Sequence, residues 1–363
     1  MMKSDRKPFT VNRKPRILIV NVNWLGDVLF STPFVRAVHM MFPGCSIATL
    51  IHPRCREIVQ NNPKIDEIIL YDEEGVHRSL PGKIRLAGEL RKKRFDIAFI
   101  LHRSFTKAFL IFSAGVAERV GYATKKRRWL LTKAAEEPHQ DVHTVEYFMK
   151  ILTAADRLRE EGAVPLSEIE ATARDGYEFY PSVEDETYVD SLLKRTGIGR
   201  FGRFVVVNPG GNWMPKRWPK ESYAELADAF AAEYGMKTVL TGAKKDARLA
   251  GEIRSLMKSA LVDTSGETSL GQLGALMRRS ALVVANDTGP MHIAVAVKAK
   301  VIALFGPTSP DITGPYGTGD YRVVSRNEEC SVPCYKKGCG EYRCMNAISV
   351  RDVMRAAESL LTR

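Results

Sequence analysis

The chain has 363 residues, 45% hydrophobic and 26% charged, and carries a formal net charge of +12. That length favours two domains of ordinary size, each able to bury a core, and the balance excludes both a disordered chain and a membrane channel. The apolar runs at 17–20 and 301–305 are strand-sized, far short of the ~20 residues a spanning helix needs.

The first sixteen residues hold six basic side chains and one acid. Only the charge resembles a signal peptide. The apolar run that follows is broken by Asn21 and Asn23, and no hydrophobic region of about 7–15 residues leads to a small-residue cleavage site. A flexible basic tail over 1–16 is therefore expected, feeding a strand at 16–20. Beyond the Asn-rich turn, Phe30, Phe34, Ala37, Val38 and Met41 fall at helical spacing, and Pro43-Gly44 ends that helix. Further strands are predicted at 46–51 and 95–101. This is the strand–helix–strand rhythm of a parallel sheet.

A polar, aromatic-spotted stretch at 171–204, with Pro181, an amphipathic segment at 188–194 and Gly197 and Gly199, marks a domain boundary near residue 180. The same rhythm then restarts, with strands at 204–207, 237–240, 282–285 and 301–305 and a helix containing 293–297. The expected organisation is an N-terminal domain at 17–180, a C-terminal domain at 181–345 and a helix at 346–363 that could pack back toward the first domain. Two such α/β units put a cleft between them. Ligands in parallel sheets sit beyond the carboxyl ends of strands, so the loops there are the candidate sites.

Two runs of positive charge stand out, at 91–94 and between Arg119 and Lys133, the second without an acid. Either can be a solvated helix face or loop. Nucleic acid is the weakest partner, because no zinc finger, RNA-binding aromatic signature or basic zipper accompanies the charge. Six cysteines, four of them within 330–344, fit a reducing compartment. The expected location is cytoplasmic, with any membrane contact peripheral.

Three loops carry the chemistry. In the first, Gly26 permits close approach to the backbone, and Asp27 stands where a helix begins, either as an N-cap or as a general base within reach of a hydroxyl. In the second, Asn208-Pro209-Gly210-Gly211, adjacent glycines let backbone N–H groups approach an anion, with Lys216 and Arg217 a few residues on. It is either an anion site or an ordinary turn, and it is not a Walker A sequence. The third, Asn286-Asp287-Thr288-Gly289-Pro290-Met291-His292, turns from a strand into a helix whose N-terminal N–H groups and dipole favour phosphate. Asp287 suits sugar hydroxyls or helix capping, and His292 taken alone reads as a packed histidine.

Taken together, these loops, with Leu25-Gly26-Asp27-Val28-Leu29, Lys216-Arg217-Trp218-Pro219 and Phe305-Gly306-Pro307-Thr308, resemble the bacterial lipopolysaccharide heptosyltransferases of glycosyltransferase family 9. The likeness runs from about residue 15 to 361, in matching order and spacing. It implies the α/β GT-B fold, two Rossmann-like domains with the acceptor on the first and the nucleotide-sugar on the second. Carried onto matching positions, it implies Asp27 as general base, with Gly210, Gly211, Lys216, Asp287, Thr288, Gly289 and His292 at the donor. Arg103, Arg119, Arg127 and Arg128 would receive a phosphorylated lipid A-core acceptor. Where the family often has an acid after Gly-Ala, this chain has Lys244.

Cys330, Cys334, Cys339 and Cys344 are spaced either for a structural metal or as ordinary or redox-sensitive thiols; a disulfide suits a reducing compartment poorly. A Pro-Cys cluster here resembles heptosyltransferase II-like members.

The implied reaction moves a heptose from ADP-L-glycero-D-manno-heptose to the inner core of lipopolysaccharide, on a heptosyl-Kdo-lipid A acceptor, with inversion. Asp27 takes the acceptor proton, while Lys216 and the helix N-terminus stabilise the departing diphosphate. No cofactor is expected, since no Asp-x-Asp metal motif lies in the donor loops. The alternatives are another donor or acceptor within the family, a nucleotide-sugar epimerase or hydrolase of the same architecture, and a zinc-stabilised binding protein. The expected partners are the ADP-sugar, the phosphorylated acceptor and an anionic membrane surface contacted peripherally, with the basic tail as one contact.

Overall fold

The computed structural model describes residues 14–124, 126–138, 141–159, 163–199, 202–326, 330–334, 339 and 341–362. Residues 1–13 of the expected basic tail and Lys125 of the basic run lie outside them. The chain divides into two compact units, one reaching Tyr177 and the other starting at Glu178.

The first unit is built on six parallel strands: β1 (Arg16–Val20), β2 (Ser46–Ile51), β3 (Glu67–Leu70), β4 (Ile97–Ile100), β5 (Glu118–Tyr122) and β6 (Lys133–Ala135). Their order is β3-β2-β1-β4-β5-β6. The sequence of β1, Arg-Ile-Leu-Ile-Val, shows why it lies at the centre: four consecutive apolar residues suit a strand covered by helices on both faces. Leu18, Val20, Leu50, Ala98 and Ile100 form one core with Leu86 and Leu90 of helix Leu80–Lys92 and Ala108 and Ile111 of helix Phe105–Ser113.

The second unit repeats the plan. Strands β7 (Phe204–Asn208), β8 (Lys237–Leu240), β9 (Leu261–Asp263), β10 (Leu282–Asn286), β11 (Val301–Phe305) and β12 (Tyr321–Ser325) are parallel, in the order β12-β11-β10-β7-β8-β9. Both sheets thus have the 3-2-1-4-5-6 order of the dinucleotide-binding Rossmann fold, as the GT-B expectation requires. In each, the winding reverses between the first and fourth strands, β1 and β4 or β7 and β10. The loops leaving those four strands flank the crevice where such sheets bind ligands.

Two expectations change in detail. The helix predicted through Phe30 and Met41 is two helices, Leu25–Phe30 and Thr32–Met41, joined at Ser31. Pro33 has no N–H for the carbonyl of Leu29, which accepts the Thr32 hydroxyl at 2.8 Å instead. At the C-terminus, helix Val350–Leu361 belongs to the second unit: Val353, Met354, Ala357 and Leu360 are buried in one core with β7 and β10.

Among the described residues, no helix is long and apolar enough to cross a membrane.

Candidate active site

In the second unit, the loops after β7 and β10 are tied together by a buried asparagine. Asn286 Nδ2 donates to the carbonyls of Pro209 (3.0 Å) and Gly210 (3.2 Å), and its Oδ1 accepts from the Tyr223 hydroxyl at 2.7 Å. Every hydrogen-bonding atom of that carboxamide is used, so the two loops hold one geometry. The contact at Gly211 is close: a Cβ there would lie 3.3 Å from Thr288 Cγ2. At Gly210 it would lie 2.9 Å from an Asp246 oxygen.

Asp287 sits at the centre of the arrangement, 4% exposed. Lys216 Nζ donates to its Oδ2 at 2.6 Å and to its backbone carbonyl at 3.3 Å. The Thr308 hydroxyl reaches the same Oδ2 at 2.7 Å, and His292 Nε2 lies 3.6 Å from Oδ1. Burial alone would raise the Asp287 pKa, but the bond from His292 and the Lys216 ammonium outweigh it and hold the carboxyl down at about 2. The carboxylate is therefore committed to aiming Lys216. Thr288 occupies the N-cap of helix Gly289–Ala296, and its side chain does not cap that end, its hydroxyl donating instead to the Asn286 carbonyl at 3.2 Å. An ammonium with a remaining proton and an uncapped helix N-terminus are brought together where a diphosphate would find both.

The structure thus gathers Gly210, Gly211, Lys216, Asp287, Thr288, Gly289 and His292 at one edge of the second sheet. Sequence reasoning missed Asn286 as the tie between their loops. It also missed Asp246, which lies two residues beyond Lys244, where the family's acid was sought. Asp246 is buried; its Oδ2 accepts from the N–H of Ala243 at 3.0 Å, and Arg217 stands 3.8 Å away.

In the first unit, Asp27 is not the N-cap of its helix. Trp24 holds that position, and Asp27 lies in the first turn, half-buried. The loop before it is held by a residue that the sequence reading passed over. Lys107, 1% exposed, donates to the carbonyl of Asn21 (3.1 Å) and to Asn23 Oδ1 (2.6 Å) and pairs with Glu73 at 3.4 Å. Burial lowers its pKa, with Glu73 opposing. A lone lysine in the apolar run Phe-Thr-Lys-Ala-Phe-Leu-Ile-Phe was the available signal. Beside this loop, burial pushes the Cys55 thiol up to about 11, with Arg54 and Lys107 opposing and Asp27 adding to the rise, so it is an inert packing thiol.

The four expected acceptor arginines part company. Arg103 and Arg128 are exposed, Arg103 pairing with Glu137 at 2.9 Å. Arg127 is fully buried; it donates to the carbonyls of Tyr122 (2.8 Å), Ser104 (3.3 Å) and His102, stapling the loops after β4 and β5. Burial pulls its pKa down to about 10, so the charge persists at neutral pH. Arg119 lies near the start of β5 and bonds the carbonyls of Leu130, Val116 and Ala117.

The profile of glycosyltransferase family 9 (heptosyltransferase) matches residues 83–344, more than two thirds of the chain. The chain belongs to glycosyltransferase family 9. It is an enzyme of glycosyl transfer, as the motif set implied. Lipooligosaccharide heptosyltransferase 2 of Haemophilus influenzae is 28% identical over 304 residues, covering 82% of this chain and 85% of its own length. Among solved structures, the family 9 glycosyl transferase of Veillonella parvula superposes with a TM-score of 0.85 at 26% identity, covering 98% of this chain and 99% of that one. The ADP-heptose lps heptosyltransferase II of Escherichia coli gives 0.76 at 25% identity, covering 96% and 98%. The resemblance to heptosyltransferase II thus extends from motifs to the whole chain.

Family membership assigns no role to the cysteines. Cys344 is buried, and Cys330 and Cys339 are close enough to act on it electrostatically; burial is the larger reason its pKa rises. Cys330, Cys334, Cys339 and Cys344 are all unpaired thiols. Among the described residues, no group of three or more His, Cys, Asp or Glu side chains is arranged to hold a metal.

Proposed function

We propose that this family 9 enzyme transfers a heptose from ADP-L-glycero-D-manno-heptose to the heptosyl-Kdo-lipid A inner core of lipopolysaccharide, with inversion. The relatives named for that chemistry supply the substrate class. The observation that carries the donor side is Lys216, held 2.6 Å from Asp287 beside the uncapped N-terminus of helix Gly289–Ala296. There the ammonium and the helix dipole meet the charge that develops on the leaving ADP. Fixed donors of this kind are typically worth about 3–4 kcal/mol of barrier.

On the acceptor side, Asp27 removes the proton from the attacking hydroxyl as the C–O bond to the anomeric carbon forms and the bond to ADP breaks. Lys107 fixes the loop that presents Asp27. Exposed Arg103 and Arg128, beyond the ends of β4 and β5, supply positive charge for acceptor phosphates. A lipid-linked acceptor places the enzyme at the cytoplasmic face of the inner membrane.

The test is ADP release from ADP-heptose with and without a heptosyl-Kdo-lipid A acceptor, with the product identified by mass. Acceptor-dependent release and one added heptose are expected. Release without acceptor would mean a hydrolase, and product from a different acceptor would move the enzyme within its family. Asp27→Ala is expected to lower kcat by roughly 10²–10⁴ with donor affinity nearly unchanged. Turnover near wild type would remove Asp27 from the mechanism.

A further inference from the structure

One face of the first unit carries an aromatic surface that neither the core nor the proposed transfer uses. Phe105, Phe109 and Phe112 of helix Phe105–Ser113 are 40%, 46% and 42% exposed, and Trp129, on the short turn Arg128–Leu130, is 60% exposed. These rings touch one another. Phe105 stacks on Phe109 at 6.2 Å between centroids, and Trp129 meets Phe105 at 6.2 Å and Phe112 edge-on at 5.7 Å. Single exposed apolar residues are ordinary, but four large rings assembled into one exposed patch mark a contact surface.

Charge says what it contacts. From Arg103 to Lys133 the sequence holds one acid, Glu118, against eight basic residues. The Glu118 carboxylate already accepts from the Thr132 hydroxyl at 2.7 Å. Two of the basic residues, Lys107 and Arg127, are buried. Among the others, Arg103, Lys126 and Arg128 are exposed, and Arg119 stacks over the Phe112 ring at 5.3 Å. Aromatic rings bordered by guanidinium and ammonium groups suit the headgroup layer of an anionic bilayer, where rings sit at the acyl boundary and cations meet lipid phosphates.

We propose that Phe105, Phe109, Phe112 and Trp129 insert into the headgroup region of an anionic phospholipid membrane, with Lys126 holding a bordering phosphate. This places the membrane contact in the folded first unit rather than in the basic tail alone. It stands whichever sugar or acceptor the enzyme uses.

The test uses the full chain and vesicles of phosphatidylethanolamine with phosphatidylglycerol, against vesicles of phosphatidylcholine. Wild type is expected to cosediment with the anionic vesicles only, and Phe109→Ser with Phe112→Ser to lower that partitioning about tenfold or more. Because both positions are exposed, the thermal melting of the variant should match wild type. Without any disruption of packing, brominated phosphatidylglycerol should quench Trp129 fluorescence, and Trp129→Phe should lose that quenching while still binding vesicles. Equal partitioning of the serine variant, or quenching unchanged in Trp129→Phe, would overturn the proposal. So would a concentration-dependent dimer in sedimentation velocity that the serine substitutions abolish, since the patch would then face a second copy.

Discussion

Asp287 combines two properties that rarely meet in one side chain: it is almost wholly buried, and it is more acidic than an exposed aspartate. A buried carboxylate is stable only if its partners outweigh desolvation, and here Lys216, Thr308 and His292 do so. Its folded pKa of about 2 lies below the ordinary 3.8. The folded state therefore binds fewer protons than the unfolded state between those values, and stability falls as pH falls. The contribution is complete above about 4 and lost as pH drops through about 2. We expect Asp287→Asn to lower the urea midpoint at neutral pH, because Lys216 loses its counter-charge. The gap between variant and wild type should hold down to about pH 4 and narrow below it. A gap independent of pH would show that Asp287 acts through packing alone. Sequence reasoning reached Lys216, Asp287 and His292 because each lies in a motif, but not their division of labour. That Asp287 aims the lysine follows from Lys216 and Thr308, which are remote in sequence, together with His292 one helical turn on.

The inner strands β1, β2, β4, β7, β8, β10 and β11 were legible because burial on both faces makes their sequences apolar runs. The missed strands are the ones that lose that signal. The edge strands β3, β6, β9 and β12 are short and half-exposed, while β5, Glu-Arg-Val-Gly-Tyr, opens with two charges. The run between Arg119 and Lys133 consequently read as one basic segment, although it holds most of β5, the turn that follows and the first residue of β6. Side by side in that turn, Arg127 and Arg128 look equivalent in sequence and are opposites in structure. Arg127→Met should remove the staple on three loop carbonyls and cost roughly 3 kcal/mol or more. Arg128→Glu, at an exposed position, should leave stability within about 0.5 kcal/mol and raise the acceptor KM instead. Chemical denaturation of both variants, with acceptor saturation curves for Arg128→Glu, separates the roles. An Arg127→Met protein as stable as wild type would mean that the carbonyls find other donors.

At the scale of the molecule, one winding order is used twice, and the loops at the two switch points differ in chemistry. Beyond β1 and β4 stand a carboxylate and a buried lysine; beyond β7 and β10 stand adjacent glycines and a partly exposed lysine beside the start of a longer helix. The repetition of strand, helix and strand was visible in the sequence. The identity of the two orders was not, because it depends on edge strands with little apolar signature. The asymmetry has a consequence for ligand binding. If the second switch point takes the diphosphate, ADP alone should slow amide exchange there by a factor set by mass action. For amides that exchange through opening of that site, this is about 100-fold at a ligand concentration of 100 Kd. We expect the protection at residues 208–217 and 286–292, where N–H groups of the glycine turn and the helix end meet phosphate oxygens. Residues 21–27 and 101–107 should exchange as before, because that loop pair has no adjacent glycines and its Lys107 is buried against Asn21, Asn23 and Glu73, whereas Lys216 is partly exposed. Protection confined to 21–27 would transfer the nucleotide to the first unit and reverse the assignment of donor and acceptor.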